Sequence, residues 1–269
     1  LAPRRKDVVL KRGYLLADSG DVSGAVEAVR RIAAALPADP ALPGNLAALG
    51  AVRVEAGDPA GGAEILGAVA KAFPRDAAVH ADWGYVLAQA GKKTEALAAL
   101  DRAAELAPAD VQILRRRATA AMLVRDFPRA RSSYRASAAA GGGQIDLLGA
   151  AAAAVASDLE AAKSELAALS RPEAAPPAIA ETAAGLSKAA SRGPADRGAL
   201  DRAEALAKDG KEILALPILH RALRANAADG RAAALLAGIY RDFGFLAAAD
   251  ETMRAAARPP AKKASGAAQ

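Results

Sequence analysis

The residues able to do chemistry in this chain are few. Two histidines are present, His80 and His220, and neither has a second histidine at the helical spacing that puts two imidazoles on one metal ion. Both read as ordinary helix-surface residues. No cysteine is present, which removes disulfides, thiol catalysis and cysteine-ligated zinc or iron–sulfur centres together. Asp201 with Glu204, and Asp250 with Glu251, are acids close in sequence, but general acid–base work needs a cleft that shifts one carboxyl away from the other. They read as solvated faces. The run from Gly84 to Gly91-Lys92-Lys93-Thr94 superficially follows a phosphate-binding loop, yet its first glycine stands two residues too early and no strand precedes it. No catalytic residue, cofactor site or metal site is assigned.

Charge offers a stronger signal. The chain carries a net charge of +6, and Arg115, Arg116, Arg117, Arg125, Arg129, Arg131 and Arg135 lie within one segment whose only acid is Asp126. Such a basic face suits an acidic partner segment, a phosphate polymer or an anionic membrane surface. Aromatic residues interleaved with the arginines would favour stacked single-stranded nucleic acid. Only Phe127 and Tyr134 lie nearby, so nucleic acid is disfavoured.

The elements that must position these groups follow from composition. The chain has 269 residues, 53% hydrophobic and 25% charged, with aromatics at only 3%. Alanine, the best helix former, is abundant, and β-branched or aromatic runs between turn signals are missing. The fold class is therefore all-α, built from helices whose small side chains allow close packing. The apolar run from Leu147 to Ala156 is much too short to cross a bilayer, so no transmembrane segment is expected. A start at Leu1 rather than Met tips the expected location toward the periplasm or cell envelope and away from the cytoplasm.

Self-similarity organises the rest. A small residue is followed seven positions later by a turn residue at Gly13/Gly20, Gly50/Gly57, Gly84/Gly91, Ala203/Gly210 and Ala237/Gly244. Ala118/Arg125 fits the frame with its glycine replaced. Five residues beyond each turn comes another small residue (Ala25, Gly62, Ala96, Ala130, Ala215, Ala249). Four further lies a larger one: Val29, Leu66, Leu100, Tyr134, Leu219, Met253. Pro37, Pro74 and Pro108 close the first three units. Each unit is thus helix, turn, helix, stop, and Gly50, Gly84 and Ala118 are spaced by 34 residues, as are Ala203 and Ala237.

In period and in most slots the pattern resembles the tetratricopeptide repeat, over about three-quarters of the chain. Trp83-Gly84 with Leu87, Ala96, Leu100, Ala103 and Pro108 is its best copy. The resemblance implies an α-solenoid of about 15 helices, wound as a right-handed superhelix with a concave groove. It also implies which first-helix positions line that groove: Leu10, Tyr14, Ala47, Ala51, Ala81, Tyr85, Gln89, Arg115, Thr119 and Met122. The first three units lack the lysine, asparagine and arginine set with which some members clamp acidic chaperone tails. An apolar groove with Tyr14 and Tyr85 suits a helix or an extended apolar peptide.

The array breaks between Ala118 and Ala203, which are two and a half periods apart. Residues 6–142 are expected to hold four repeats, 143–195 a degenerate pair (near 145–157 and 158–171) plus one unpaired helix near 178–190, and 196–257 two more repeats. Residues 258–269 read as a disordered basic tail. The function expected is a non-catalytic scaffold or adaptor in a bacterial multiprotein assembly. A client-peptide chaperone or regulator, and a protein acting on nucleic acid or an anionic surface through the arginine-rich unit, are the alternatives.

Overall fold

The computed structural model describes residues 3–171, 173–192 and 196–258, with side chains from residue 7 onward. The tail expected beyond residue 258 lies outside the described residues. Fifteen α-helices make up the described chain: α1 (Pro3–Asp18), α2 (Val22–Ala35), α3 (Leu42–Glu55), α4 (Pro59–Ala72), α5 (Ala77–Gln89), α6 (Lys93–Leu106), α7 (Val111–Leu123), α8 (Phe127–Ser137), α9 (Gln144–Ser157), α10 (Leu159–Leu169), α11 (Pro177–Ser191), α12 (Arg197–Lys208), α13 (Glu212–Ala225), α14 (Gly230–Asp242) and α15 (Leu246–Ala257). A single π-helical turn, Ala138–Gly142, follows α8. The fold is an all-α solenoid of helical hairpins, in two compact units, Leu1–Ala154 and Val155–Gln269.

In the first unit α1/α2, α3/α4, α5/α6 and α7/α8 pair as hairpins. Successive first helices stack, α1 on α3, α3 on α5 and α5 on α7, and α4 and α6 pack on the first helix that follows each. The second unit holds the hairpins α10/α11, α12/α13 and α14/α15. Here the structure corrects the expectation of an unpaired helix near 178–190. That helix is α11, and it packs along α10. Both carry an apolar stripe at three-to-four spacing, Ala162, Leu166 and Leu169 on one and Ala183, Leu186 and Ala190 on the other. A short connection between two such stripes makes antiparallel neighbours.

Close approach explains why each crossing residue is small. A Cβ on Gly84 would stand 2.7 Å from Leu100 Cγ and 2.9 Å from the Ala96 carbonyl oxygen. Overpacking of that kind costs about 1–3 kcal/mol. Ala25, Ala96, Ala130, Ala215 and Ala249, on the opposing helices, are fully buried. The larger core side chains, among them Leu42, Leu46, Leu49 and Ile65, fill the space around the crossings of the leading repeats.

Aspartates start the helices. Asp21, Asp58, Asp76, Asp110, Asp126, Asp158, Asp196 and Asp229 each accept a hydrogen bond from a backbone N–H in the first turn that follows. At Asp58 the bond from the Gly61 N–H and the neighbouring Arg53 guanidinium hold the carboxyl below its usual range. The histidines depart from the sequence reading, because both are buried. The Nε2 of His80 lies 3.3 Å from the Pro74 carbonyl oxygen, and that of His220 lies 3.0 Å from the Tyr240 hydroxyl. Among the described residues no helix is long and apolar enough to cross a membrane, and no three metal-ligating side chains gather.

The turn slot tests the repeat most directly. Gly20, Gly57, Gly91, Gly210 and Gly244 have φ between +70° and +87°, and Arg125, in the same slot, has φ +67°. A left-handed conformation costs a residue with a Cβ about 1–2 kcal/mol, partly offset by the greater freedom that glycine loses on folding. Arg125→Gly is therefore expected to stabilise the chain by about 0.5–1 kcal/mol. Urea unfolding should show a higher midpoint at unchanged slope; an unmoved or lower midpoint would mean the turn carries no strain.

Candidate functional site

The first helices of the second, third and fourth repeats form a groove in the first unit. Along α3, Gly44, Ala47, Ala48 and Ala51 recur at three-to-four spacing and form one wall with Val54 and Glu55. Asp82, Tyr85, Val86 and Gln89 of α5 face them, Leu66 of α4 closes the floor, and Arg116 of α7 stands at the far end, around a hollow of about 540 Å³. A second hollow of about 410 Å³ continues between α5 and α7, lined by Ala78, Ala81, Ile113, Arg115 and Thr119 with Asp110 and Gln112. Tyr85 and Arg116 belong to both. Small residues on α3 leave the space, and the tyrosine and arginine divide it.

Electrostatics at the divide follow from the period. Asp82 and Arg116 stand 34 residues apart, in the same slot of consecutive repeats, and the stacking of α5 on α7 joins them as an ion pair. With both side chains over a third exposed, such a pair contributes at most about 1 kcal/mol. Its value is in position, because it sets one acid and one base beside Tyr85 in the groove lining. Burial pushes the Tyr85 phenol up to about 12, so it remains a neutral donor with a large apolar body.

Of the positions expected to line the groove, Ala47, Ala51, Ala81, Tyr85, Gln89, Arg115 and Thr119 do so. Three others do not. Met122 is fully buried, because it lies one turn beyond the crossing residue Ala118 on the same face and so points into its own hairpin. Leu10, one turn before Gly13, belongs to the leading core. Tyr14 packs against that core and donates its hydroxyl to the Asn45 carbonyl at 3.3 Å, away from either hollow. Asp82 was missed by the sequence reading, although its opposite charge one period from Arg116 is a signal that the repeat frame makes visible.

Four of the seven arginines pair with acids, three of which lie on neighbouring helices. Arg117 and Arg129 both bond Asp101 of α6, at 2.7 and 2.6 Å, and Arg129 also reaches Asp126 at 3.3 Å. Arg116 is engaged by Asp82, and Arg115 by Asp146 of α9 at 2.8 Å. Arg125 sits at its turn, exposed, while Arg131 is half-buried and Arg135 exposed. Counting acids within the segment finds Asp126 alone; stacking brings three more from neighbouring helices.

Asp146 is the tightest point of this network. It is buried and accepts from Arg115 Nε at 2.8 Å and from Ser137 Oγ at 2.7 Å, while Arg115 also donates to the Gly142 carbonyl at 2.8 Å. A Cβ on Gly142 would strike the Asp146 carboxylate. Tyr134, buried and held above the usual phenol range by desolvation, packs on Gly149 of α9 and shares a hydrogen bond with Thr119 of the groove wall. The π turn, the start of α9 and the groove are therefore one connected structure.

No family model matches the chain, and no curated protein matches its sequence. Solved structures similar to it include tetratricopeptide repeat proteins. One, a tetratricopeptide repeat protein from Parabacteroides merdae ATCC 43184, is 12% identical with a TM-score of 0.49, over 95% of this chain and all of the other. The MamA protein is 19% identical with a TM-score of 0.42, over 76% of this chain and 94% of its own. The tetratricopeptide domain of P58(IPK) is 16% identical with a TM-score of 0.33, over 93% and 73%. The fold assignment rests on the chain's own periodicity and helix pairing.

Removing the carboxylate at 146 leaves Arg115 and Ser137 without their shared acceptor. Asp146→Ala is expected to cost about 2–3 kcal/mol, since a buried charged acceptor is lost to the buried Ser137 hydroxyl and the half-buried Arg115 guanidinium. Urea unfolding measures this directly, and a loss under about 0.5 kcal/mol, the level of an ordinary surface change, would show that the network does not hold the π turn.

Proposed function

We propose that this chain is a non-catalytic protein-binding scaffold that holds a partner segment in the groove of α3, α5 and α7, as a subunit of a multiprotein assembly. The observation that carries this reading is the pair of adjoining hollows, about 540 and 410 Å³, that share Tyr85 and Arg116. Together they offer a small-residue wall for close backbone approach, an aromatic anchor at the centre and a charged pair at the rim. That is the arrangement in which an amphipathic helix or extended apolar segment is bound, its apolar side chains in the hollows and one polar group against Asp82 and Arg116.

The test is capture of partners from the source cells on the wild-type chain and on Ala48→Arg, which fills the first hollow from a half-exposed position. Proteins held by the groove should be lost from the variant while its helical signal is unchanged. With a captured segment in hand, Tyr85→Ala should weaken it by tenfold or more, the effect of truncating an aromatic hot spot. An identical set of captured proteins from wild type and Ala48→Arg would reject the groove as the site.

A further inference from the structure

At three helix crossings the residue just before the crossing position is large and reaches back to the preceding helix. Trp83, before Gly84, lies against Gly67 of α4, where a Cβ would stand 3.3 Å from its Nε1. Arg117, before Ala118, meets Asp101 of α6 at 2.7 Å, and Arg129 of α8 meets the other oxygen of the same carboxylate at 2.6 Å. Arg202, before Ala203, reaches back to α11 and finds Gly185, whose Cβ would stand 2.4 Å from the guanidinium carbon. The guanidinium therefore lies directly on the α11 backbone, in the slot where Arg117 has an aspartate.

Arg202 is poorly provided for there. Its Nε is buried without a partner. Its one hydrogen bond among the described residues is a 3.5 Å contact from Nη2 to the Thr182 carbonyl oxygen, at the outer limit of such bonds. A second cation comes to the same threonine. Lys211, just before α13, donates from Nζ to the Thr182 hydroxyl at 3.1 Å, and that hydroxyl donates in turn to the Ala178 carbonyl at 2.7 Å. Both cations are half-buried. Held by one residue, the two charges lie within about 10 Å of each other. The acids nearest in sequence do not serve them. Asp201 and Glu204 hold Arg231, while Glu181, Asp209 and Glu212 form no ion pair with Arg202 or Lys211 among the described residues. Like charges drawn out of water without a counter-ion raise the free energy of the folded chain, and a carboxylate placed between them lowers it.

We infer that Arg202 and Lys211 are the binding site for a carboxylate side chain of a partner protein, which completes beside α11 the arrangement that Asp101 completes for Arg117 and Arg129. The chain's own solution at Asp101 is what argues for a carboxylate: one acid there takes two cations, one from each helix of the hairpin that follows it. Here the two cations are present, one on α12 and one at the start of α13, and glycine stands where the acid would be. A guanidinium and an ammonium together offer both oxygens of a carboxylate charge-assisted hydrogen bonds. The site belongs to the second unit and the groove to the first, so each is tested without the other.

Nuclear magnetic resonance titration of the isotope-labelled full chain with a capped tetraglutamate peptide tests this, against a tetraglutamine peptide and inorganic phosphate at equal ionic strength. The amides of Thr182, Gly185 and Lys211 should shift and saturate with tetraglutamate and stay in place with tetraglutamine. Arg202→Gln with Lys211→Gln should weaken tetraglutamate about tenfold or more, the effect of losing two charge-assisted bonds. The urea midpoint of that variant should not fall, because neither cation is paired in the free chain. Gly185→Asp supplies the carboxylate from α11 itself. It should abolish tetraglutamate binding and unfold at higher urea than Gly185→Asn, which has the same shape without the charge. The inference is overturned by the absence of any saturable shift, by equal shifts with tetraglutamine, or by unchanged affinity in the double variant. Equal midpoints for Gly185→Asp and Gly185→Asn overturn it too, since the two cations would then not converge at that point. Phosphate that shifts these amides where tetraglutamate does not would assign the site to a phosphate ligand and reject an acidic protein segment.

Discussion

The contact on which everything else depends is the close crossing of the two helices in each hairpin, with the Gly84 backbone against Ala96 and Leu100 as its clearest instance. Where backbones approach this closely, side chains of ordinary size are displaced to either side of the crossing and interlock there. Leucine and valine then fill the flanks, and aromatics are hardly needed. An alanine-rich chain with few aromatics is suited to such crossings and poorly suited to one central core. Because no hairpin can cover its own outer face, each must be completed by the next.

That dependence shapes the electrostatics as well as the core. Stacking sets the same slot of consecutive repeats side by side, so a charge in one repeat meets whatever lies one period away. Asp82 and Arg116 are such a pair, and Asp101 serves both Arg117 and Arg129. A segment that is strongly basic along the chain thereby becomes a seam of ion pairs in space. The groove beside it has a small-residue wall on α3, while polar groups gather toward α7 in the second hollow.

Incomplete stacking has the opposite effect. Val8, Leu15 and Met253 are apolar because their register is a stacking register, and they are exposed because the described chain supplies no neighbour for them. The π turn and the buried Asp146 mark another departure from the regular repeat, where Gly141 and Gly143, at φ +103° and +78°, redirect the chain and a carboxylate replaces apolar packing as the fastening. There the fold is held by directed hydrogen bonds, so its tolerance to substitution should be narrowest.

Local rules were enough for the helices and turns. The spacing of small residues, the turn slot that Arg125 shares with five glycines and the closing prolines define helix boundaries and hairpins, because helix propensity, capping and turn chemistry act within a few residues. Even the aspartate caps follow that logic. What one repeat frame could not supply was the direction in which a side chain on a given helix face is covered. Met122 and Tyr14 were legible as first-helix residues, yet only the packing of α8 and α3 shows that they face inward. The arginine segment was legible as basic, yet Asp82, Asp101 and Asp146 reach it only through stacking, and α11 found its hairpin partner in α10 through matching apolar stripes. Short-range geometry is written in the order of residues; charge compensation, the walls of the groove and the exposure of the end helices are properties of neighbours in space, and only the tertiary structure decides them.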